Sequence, residues 1–183
     1  TFSFGTDYRP ASFNGQLFLH SQIHYTELTD VFEIDDSGER SGDPNIWLRY
    51  NGPNATVWVW ENSFDWQLSP YLRVDAGVSY IRARYDEEIE RVAGLSTHSF
   101  IKQPKWTGHL GLSYGNHGFF DAYALYSYTG TMLAVGQDAD IWRHTPHFHV
   151  LDLGISKSLK DFAGIPELTL ALGVDNVLDH RQK

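Results

Sequence analysis

The sequence predicts an all-β protein, a transmembrane antiparallel β-barrel wall, and three observations carry that prediction. Eight segments alternate apolar with small polar side chains, and the seven connections between them run short, long, short, long, short, long, short. Tight turns at one end and long loops at the other are the pattern of outer-membrane barrels, with periplasmic turns below and extracellular loops above. The polar faces carry Ser, Gly, Asn, Gln, Thr, Asp and Arg. A soluble barrel would turn long Lys and Glu side chains to water, so this mix suits a hydrated lumen.

In the first segment Phe2, Phe4 and Tyr8 share one face, with Ser3, Gly5, Asp7 and Arg9 on the other; the turn Pro10-Ala11-Ser12 follows. The second sets Phe13, Leu17, Leu19, Ile23 and Tyr25 against Asn14, Gln16, His20, Gln22 and His24. Its phase is lost after Thr26, where Leu28, Phe32 and Ile34 switch sides, so the hairpin is expected to continue above the bilayer under different packing rules. The first long connection runs from about Asp35 to Asn45. Asn51-Gly52 is a hairpin signal that extends the loop to Asn54 with a small hairpin inside it. The third segment, Thr56 to Gln67, ends at Ser69-Pro70.

The fourth segment opposes Leu72, Val74, Ala76, Val78 and Tyr80 to Tyr71, Arg73, Asp75, Gly77 and Ser79. Such period-two segments are two-faced strands and not helices. A second long connection, Asp86 to Pro104, leads to the fifth segment, which closes at Gly115-Asn116-His117-Gly118. The sixth does not declare its facing: Phe120, Ala122, Ala124, Tyr126 and Tyr128 oppose Phe119, Tyr123 and Leu125. The third long connection, Thr131 to Thr145, precedes the seventh segment, and Lys160 to Pro166 turns into the eighth, where Leu168, Leu170, Leu172 and Val174 oppose Thr169, Ala171, Gly173 and Asp175. Trp58, Trp60, Trp66, Tyr71, Trp106, Tyr126 and Tyr128 stand at strand ends, where interfacial girdles belong.

Composition excludes several classes. A chain of 183 residues has the length of one domain, and no apolar run approaches the ~20 residues of a transmembrane helix. Net charge of −9 argues against a nucleic-acid partner, which needs a basic face. The absence of cysteine rules out disulfides and thiolate metal sites. Thr1 reads as a processed or fragment start. Ser21 sits beside His20, but neighbours on one strand face opposite ways, and no Gly-x-Ser-x-Gly elbow, phosphate loop or His-Glu-x-x-His motif occurs. The chain reads as a non-enzyme needing no cofactor.

Strand direction sharpens the picture. A complete bacterial barrel keeps both ends in the periplasm. Here the first connection is a short turn, so the first strand descends, and the eighth ascends toward Asp179-His180-Arg181-Gln182-Lys183. Both ends then lie outside, as in a piece of a larger barrel lacking its opening strands and a final descending one.

Four stretches in order carry a resemblance. Leu72 to Tyr85, Pro104-Lys105-Trp106-Thr107-Gly108 opening a strand that ends Leu112-Ser113-Tyr114, Val150-Leu151-Asp152-Leu153, and Gly173-Val174-Asp175-Asn176-Val177-Leu178-Asp179 resemble strands of TonB-dependent outer-membrane receptors. The chain departs from that family's pattern where Val59 and Trp60 stand before Glu61, and where His180-Arg181-Gln182 follows Asp179. The resemblance implies that residues 1–183 are part of the β-barrel domain, about the fourteenth to twenty-first strands of a 22-stranded barrel, with the plug domain and last strand absent. It further implies a multi-pass barrel in the bacterial outer membrane and import of a scarce ligand: a ferric siderophore or other metal chelate, haem, cobalamin or a glycan. The implied partners are the TonB complex, through the missing plug, a small-molecule ligand, and the lipid bilayer with its lipopolysaccharide. The alternative is a self-contained eight-stranded barrel acting as adhesin, pore or lipid enzyme.

Ligand-binding residues are expected in the outer loops. Trp142, Arg143, His144 and His147 form the densest cluster, with His149 beyond it. Arg143 and Trp142 could hold an anionic chelate by charge and ring stacking. His147 and His149, at i and i+2, share a strand face and could ligate a metal, but interfacial polar residues in a rim are the preferred reading. The lumenal residues Arg9, Arg73, Asp75, Asp152 and Asp175 are expected to form a hydrogen-bonded ladder. The run Asp86-Glu87-Glu88-Ile89-Glu90 reads as a solvated loop before a calcium site.

Overall fold

A computed structural model describes residues 1–14, 16–35, 48–92, 95–116, 119–135 and 141–179. In chain order the strands are β1 (Phe2–Tyr8), β2 (Leu17–Leu28), β3 (Phe32–Asp35), β4 (Leu48–Asn51), β5 (Ala55–Ser69), β6 (Leu72–Val92), β7 (Leu95–Ser99), β8 (Trp106–Asn116), β9 (Phe120–Thr129), β10 (Leu133–Val135), β11 (Trp142–His144), β12 (Phe148–Phe162) and β13 (Ile165–Val174). The main sheet is an antiparallel meander in the order β1-β2-β5-β6-β8-β9-β12-β13, with β7 pairing the far end of β6. Successive wall strands lie side by side whether a short turn or a long connection joins them. β1 and β13 do not pair with each other. The sheet is therefore open, and the closure that a self-contained eight-stranded barrel requires is not there.

Register aligns the faces across the whole sheet. Phe4 opposes Ile23, Ile23 opposes Trp60, Trp60 opposes Tyr80, and Tyr80 opposes Trp106. One residue out of phase, Gly5, Gln22, Glu61 and Ser79 form the matching polar row. A slip of one position would exchange the faces of a strand. The same register fixes β9: Ala124 lies between Leu112 and Leu153 on the apolar face, and Tyr123 lies between Ser113 and Gly154 on the polar one.

The apolar face is open, with Leu112 44% and Leu172 70% exposed, so it covers no core of this chain. Aromatic pairs border it at both ends. Tyr25 packs on Trp58 at 4.6 Å and Tyr80 on Trp106 at 4.7 Å near the long connections. Phe13 meets Trp66 edge-on at 5.6 Å, and Phe120 lies 5.0 Å from Tyr114, near the short ones. Along β5, Trp58 and Trp66 are separated by ~26 Å at ~3.3 Å per residue. With a strand tilt of about 40° that becomes ~20 Å along the barrel axis, close to the height of an outward apolar band.

Connections depart from the sequence reading in instructive ways. The last short one is a two-residue turn, with Ala163 at φ 50° and Gly164 at φ 82° between Phe162 and Ile165. Two left-handed residues are the geometry of a tight type I′ hairpin. Pro166, expected in the turn, is the second residue of β13, tolerable because the ladder to β12 skips it, running from the Phe162–Ile165 pair to Lys160–Glu167. The expected loop beginning at Asp86 is instead strand: β6 continues to Val92 and β7 folds back on it. Twenty-one residues exceed the ~10 that cross a bilayer, so β6 projects beyond the wall. The expected hairpin within the first long connection exists as β3/β4. Asn51-Gly52 is not its turn but the end of β4. The expected loop residues Asp36 to Asn45, with His117 and Gly118, lie outside the described residues.

Candidate functional site at the long-connection end

The buried core of the described residues lies outside the wall. Ala55, Tyr85 and Ile89 are buried together, with Val31 and Phe100 packed against them. A single-layer sheet has no second layer to pack on, so among the described residues the buried apolar cluster forms where the projecting end of β6 meets the loops. Tyr85 and Phe100 stack parallel at 4.2 Å. The Tyr85 hydroxyl donates to the buried Glu33 carboxylate on β3. Backbone bonds continue this layer: Gly52 N donates to Val31 O (2.7 Å), Asp86 N to Asn54 O (2.9 Å) and Lys102 N to Leu133 O (2.8 Å). The last ties the second long connection to the third.

The sequence-predicted residues are in that third connection, where β10 pairs β11 as Leu133 with His144, Ala134 with Arg143 and Val135 with Trp142. Alternation places Trp142 and His144 on one face of this hairpin and Arg143 on the other. The structure thus brings Trp142 to His144 and separates both from Arg143. His147 keeps different company. Its ring lies 5.3 Å from His149 and 6.0 Å from Tyr128, and the Tyr126 hydroxyl is 3.0 Å from His149 Nδ1. Tyr126, Tyr128 and His149 belong to the apolar face, so His147 and His149 extend its aromatic border.

No three His, Asp or Glu side chains converge to hold a metal among the described residues. The acidic run from Asp86 lies along β6, where Ile89 is buried and Glu88 accepts from Ser96 Oγ (2.6 Å) beside His98 (3.8 Å).

On the polar face the ladder crosses strand after strand. His20 Nδ1 donates to Asp7 (2.5 Å), His24 Nδ1 shares a hydrogen with Ser3 (2.9 Å), and Gln22 donates to Glu61 (2.6 Å). Arg73 Nε donates to Asp65 (2.7 Å), His109 lies 3.7 Å from Asp75, and Asp152 accepts from the backbone of Asn176 (2.8 Å). Arg9 instead lies over the Phe18 ring at 5.0 Å. A recess of about 390 Å³ opens here, lined by His20, Glu61, Ser79, Thr107 and His109 among others. Ser21 pairs with Thr6 and Asn62 on the opposite face from His20. The Glu33–Tyr85 couple was not legible in sequence; the loss of phase after Thr26 was its only trace.

Comparison with known proteins agrees with this geometry. Residues 1–177 match the family described as TonB dependent receptor-like, beta-barrel. No curated protein matches the sequence. Among solved structures, the ferric-catecholate import receptor Fiu of K12 E. coli superposes with a TM-score of 0.69 at 20% identity, over 98% of this chain and 23% of that one. The ferric yersiniabactin uptake receptor FyuA of Yersinia pestis gives 0.67 at 15%, over 98% and 24%. The ferripyoverdine receptor of Pseudomonas aeruginosa gives 0.62 at 17%, over 91% and 22%. The chain thus spans about a quarter of the length of these structures.

Proposed function

The chain belongs to the TonB-dependent receptor β-barrel family, and from that membership we propose that it is wall and mouth of a bacterial outer-membrane receptor importing a metal chelate, foremost a ferric siderophore. The observation that carries this is the open antiparallel meander with one apolar face, one polar face and a built layer at its long-connection end. The apolar face meets lipid, and the polar ladder lines a lumen that a plug fills in the whole receptor. The TonB complex supplies the energy that moves that plug. Neighbouring structures named for ferric-catecholate import and ferric yersiniabactin uptake favour an iron chelate over haem, cobalamin or a glycan.

Within the mouth, the β10/β11 hairpin is the ligand-contacting part. Trp142 and His144 offer a ring surface and a donor on one face, Arg143 offers a planar cation on the other, and His147 anchors the hairpin's return at the aromatic border.

The test is growth of a receptor-deficient strain carrying the full-length gene under iron restriction, with a panel of ferric catecholate, hydroxamate and carboxylate chelates. At least one chelate is expected to support growth, and only with TonB present. Growth on none, or growth that persists without TonB, overturns the proposal. Arg143→Ala and the pair Trp142→Ala/His144→Ala separate the two hairpin faces: the face that meets ligand raises the half-saturating concentration by roughly tenfold, the value of about 1.4 kcal/mol.

A further inference from the structure

We infer that Glu33, Tyr85 and Gly52 form a fixed joint that seats the first outer hairpin on the projecting end of β6, so that two outer loops present one preassembled surface to ligand. The joint deepens the receptor reading and rests on it for its role, while its geometry stands by itself.

Three observations converge. Glu33 is 6% exposed and Tyr85 2%, and the phenol donates to the carboxylate across the boundary between the two connections. A buried carboxylate is stable only when its oxygens are bonded, so the pair fixes how β3 lies against β6. Phe100, beyond β7, closes the other side of the Tyr85 ring by stacking on it. The ring is thereby held by residues of both loops.

Gly52 supplies the third observation. A Cβ there would stand 2.8 Å from Glu33 Cγ and 3.1 Å from Val31 O. The glycine is required because the Glu33 side chain passes through that space on its way to Tyr85. No turn conformation is involved, since Gly164 is the one glycine with positive φ among the described residues. The backbone bond from Gly52 N to Val31 O closes the same contact. A loop free to reorganise around ligand would need none of these features.

Glu33 and Tyr85 are therefore positioning residues: they act on ligand through the surface they hold still. Preorganisation lowers the ordering cost of binding, so loosening the joint weakens capture without slowing transport at saturation.

The experiment is hydrogen exchange on the full-length receptor in lipid nanodiscs, comparing wild type with Tyr85→Phe, Glu33→Gln and Gly52→Ala. Tyr85→Phe removes the donor but keeps the stacked ring. Gly52→Ala displaces Glu33 and leaves both partners present. Each is expected to speed exchange at Phe32–Asp35 and Leu48–Asn51 roughly tenfold and at Leu95–Ser99 as well, with Val74–Tyr80 unchanged. Glu33→Gln retains an acceptor oxygen and is expected to stay within about threefold of wild type. Unchanged exchange in Tyr85→Phe and Gly52→Ala overturns the joint, as does loosening confined to the substituted loop. Where a chelate supports growth, its half-saturating concentration should rise in both variants with the maximal rate intact; a fall in maximal rate alone overturns the positioning role. If no chelate is taken up but exchange behaves as stated, the joint stands and the proposed cargo falls.

Discussion

Gly154 has no side chain, yet its place in the wall is set by one. Tyr123, its partner in the ladder, lies across it so closely that a Cβ would fall 2.2 Å from the ring, and the same hydroxyl end comes within 3.8 Å of a Cβ at Gly173. Gly77 under His109 and Gly111 under Asp75 repeat the arrangement at 2.6 Å. Large side chains converge on the lumenal face of a curved wall, and the strand beside each must leave room; a ring laid over a glycine also restores the packing that the glycine lacks. Gly154→Ala should therefore destabilise the folded receptor by about 1–3 kcal/mol, read from urea unfolding in lipid vesicles. In a Tyr123→Ala background the same change should cost well under half as much, a coupling that adjacent, interacting residues display. Equal costs in the two backgrounds would show that the ring does not own that space. Sequence alone could not announce this. Tyr123 stood out only as an aromatic on an unexpected face, because the glycines that accommodate it lie on strands whose register was not yet known.

At the scale of elements, β9 is the strand whose facing the sequence left open, and its register supplies the answer. Ala124 sits between Leu112 and Leu153, whereas Leu125 sits between Gly111 and Asp152. An arginine at Ala124 must enter hydrocarbon, at a cost of ~2–4 kcal/mol near the bilayer midplane, while one at Leu125 enters the wet lumen. Ala124→Arg should deplete folded receptor from the outer membrane and Leu125→Arg should not, measured by heat-modifiable gel migration. The reverse order would invert the face assignment of the strand. Strands with clean alternation, such as β1 and β13, were readable because lipid on one side and water on the other impose opposite chemistry. Beyond the bilayer that constraint lapses. β6 carries Asp86, Glu87 and Glu88 past the aromatic border and still remains a strand, since β7 and the loops replace lipid as its partner. Charge there reads as loop, and Asn51-Gly52 reads as turn, because the local signal is the same whether glycine serves a turn or a close approach. Trp142 and Arg143 show the same limit within the candidate site: adjacency in sequence suggested cooperation, and strand alternation sets them apart.

At the scale of the whole chain, the described strands form a sheet with two unpaired edges. β1 bonds only to β2, and β13 only to β12, among the described strands. Roughly half of the backbone N–H and C=O groups of each edge strand point away from its single neighbour. In hydrocarbon each such group costs several kcal/mol, a total no array of side-chain contacts along one layer could offset. Soluble edges are tolerated because water bonds them; a lipid-facing edge has no such recourse. Residues 1–183 secreted behind a cleavable leader should therefore fail to give a heat-modifiable species, and should be recovered aggregated or degraded. If the proposed receptor supplies strands on either side to complete their ladders, the same residues within it should show slow amide exchange along Phe4–Tyr8 and Leu168–Val174. A compact, heat-modifiable 20.9 kDa species from the isolated segment would mean that β1 and β13 find each other after all. The open sheet would then be one conformation of a small closed barrel, and the lumen, the plug and the import of a chelate would lose their foundation together.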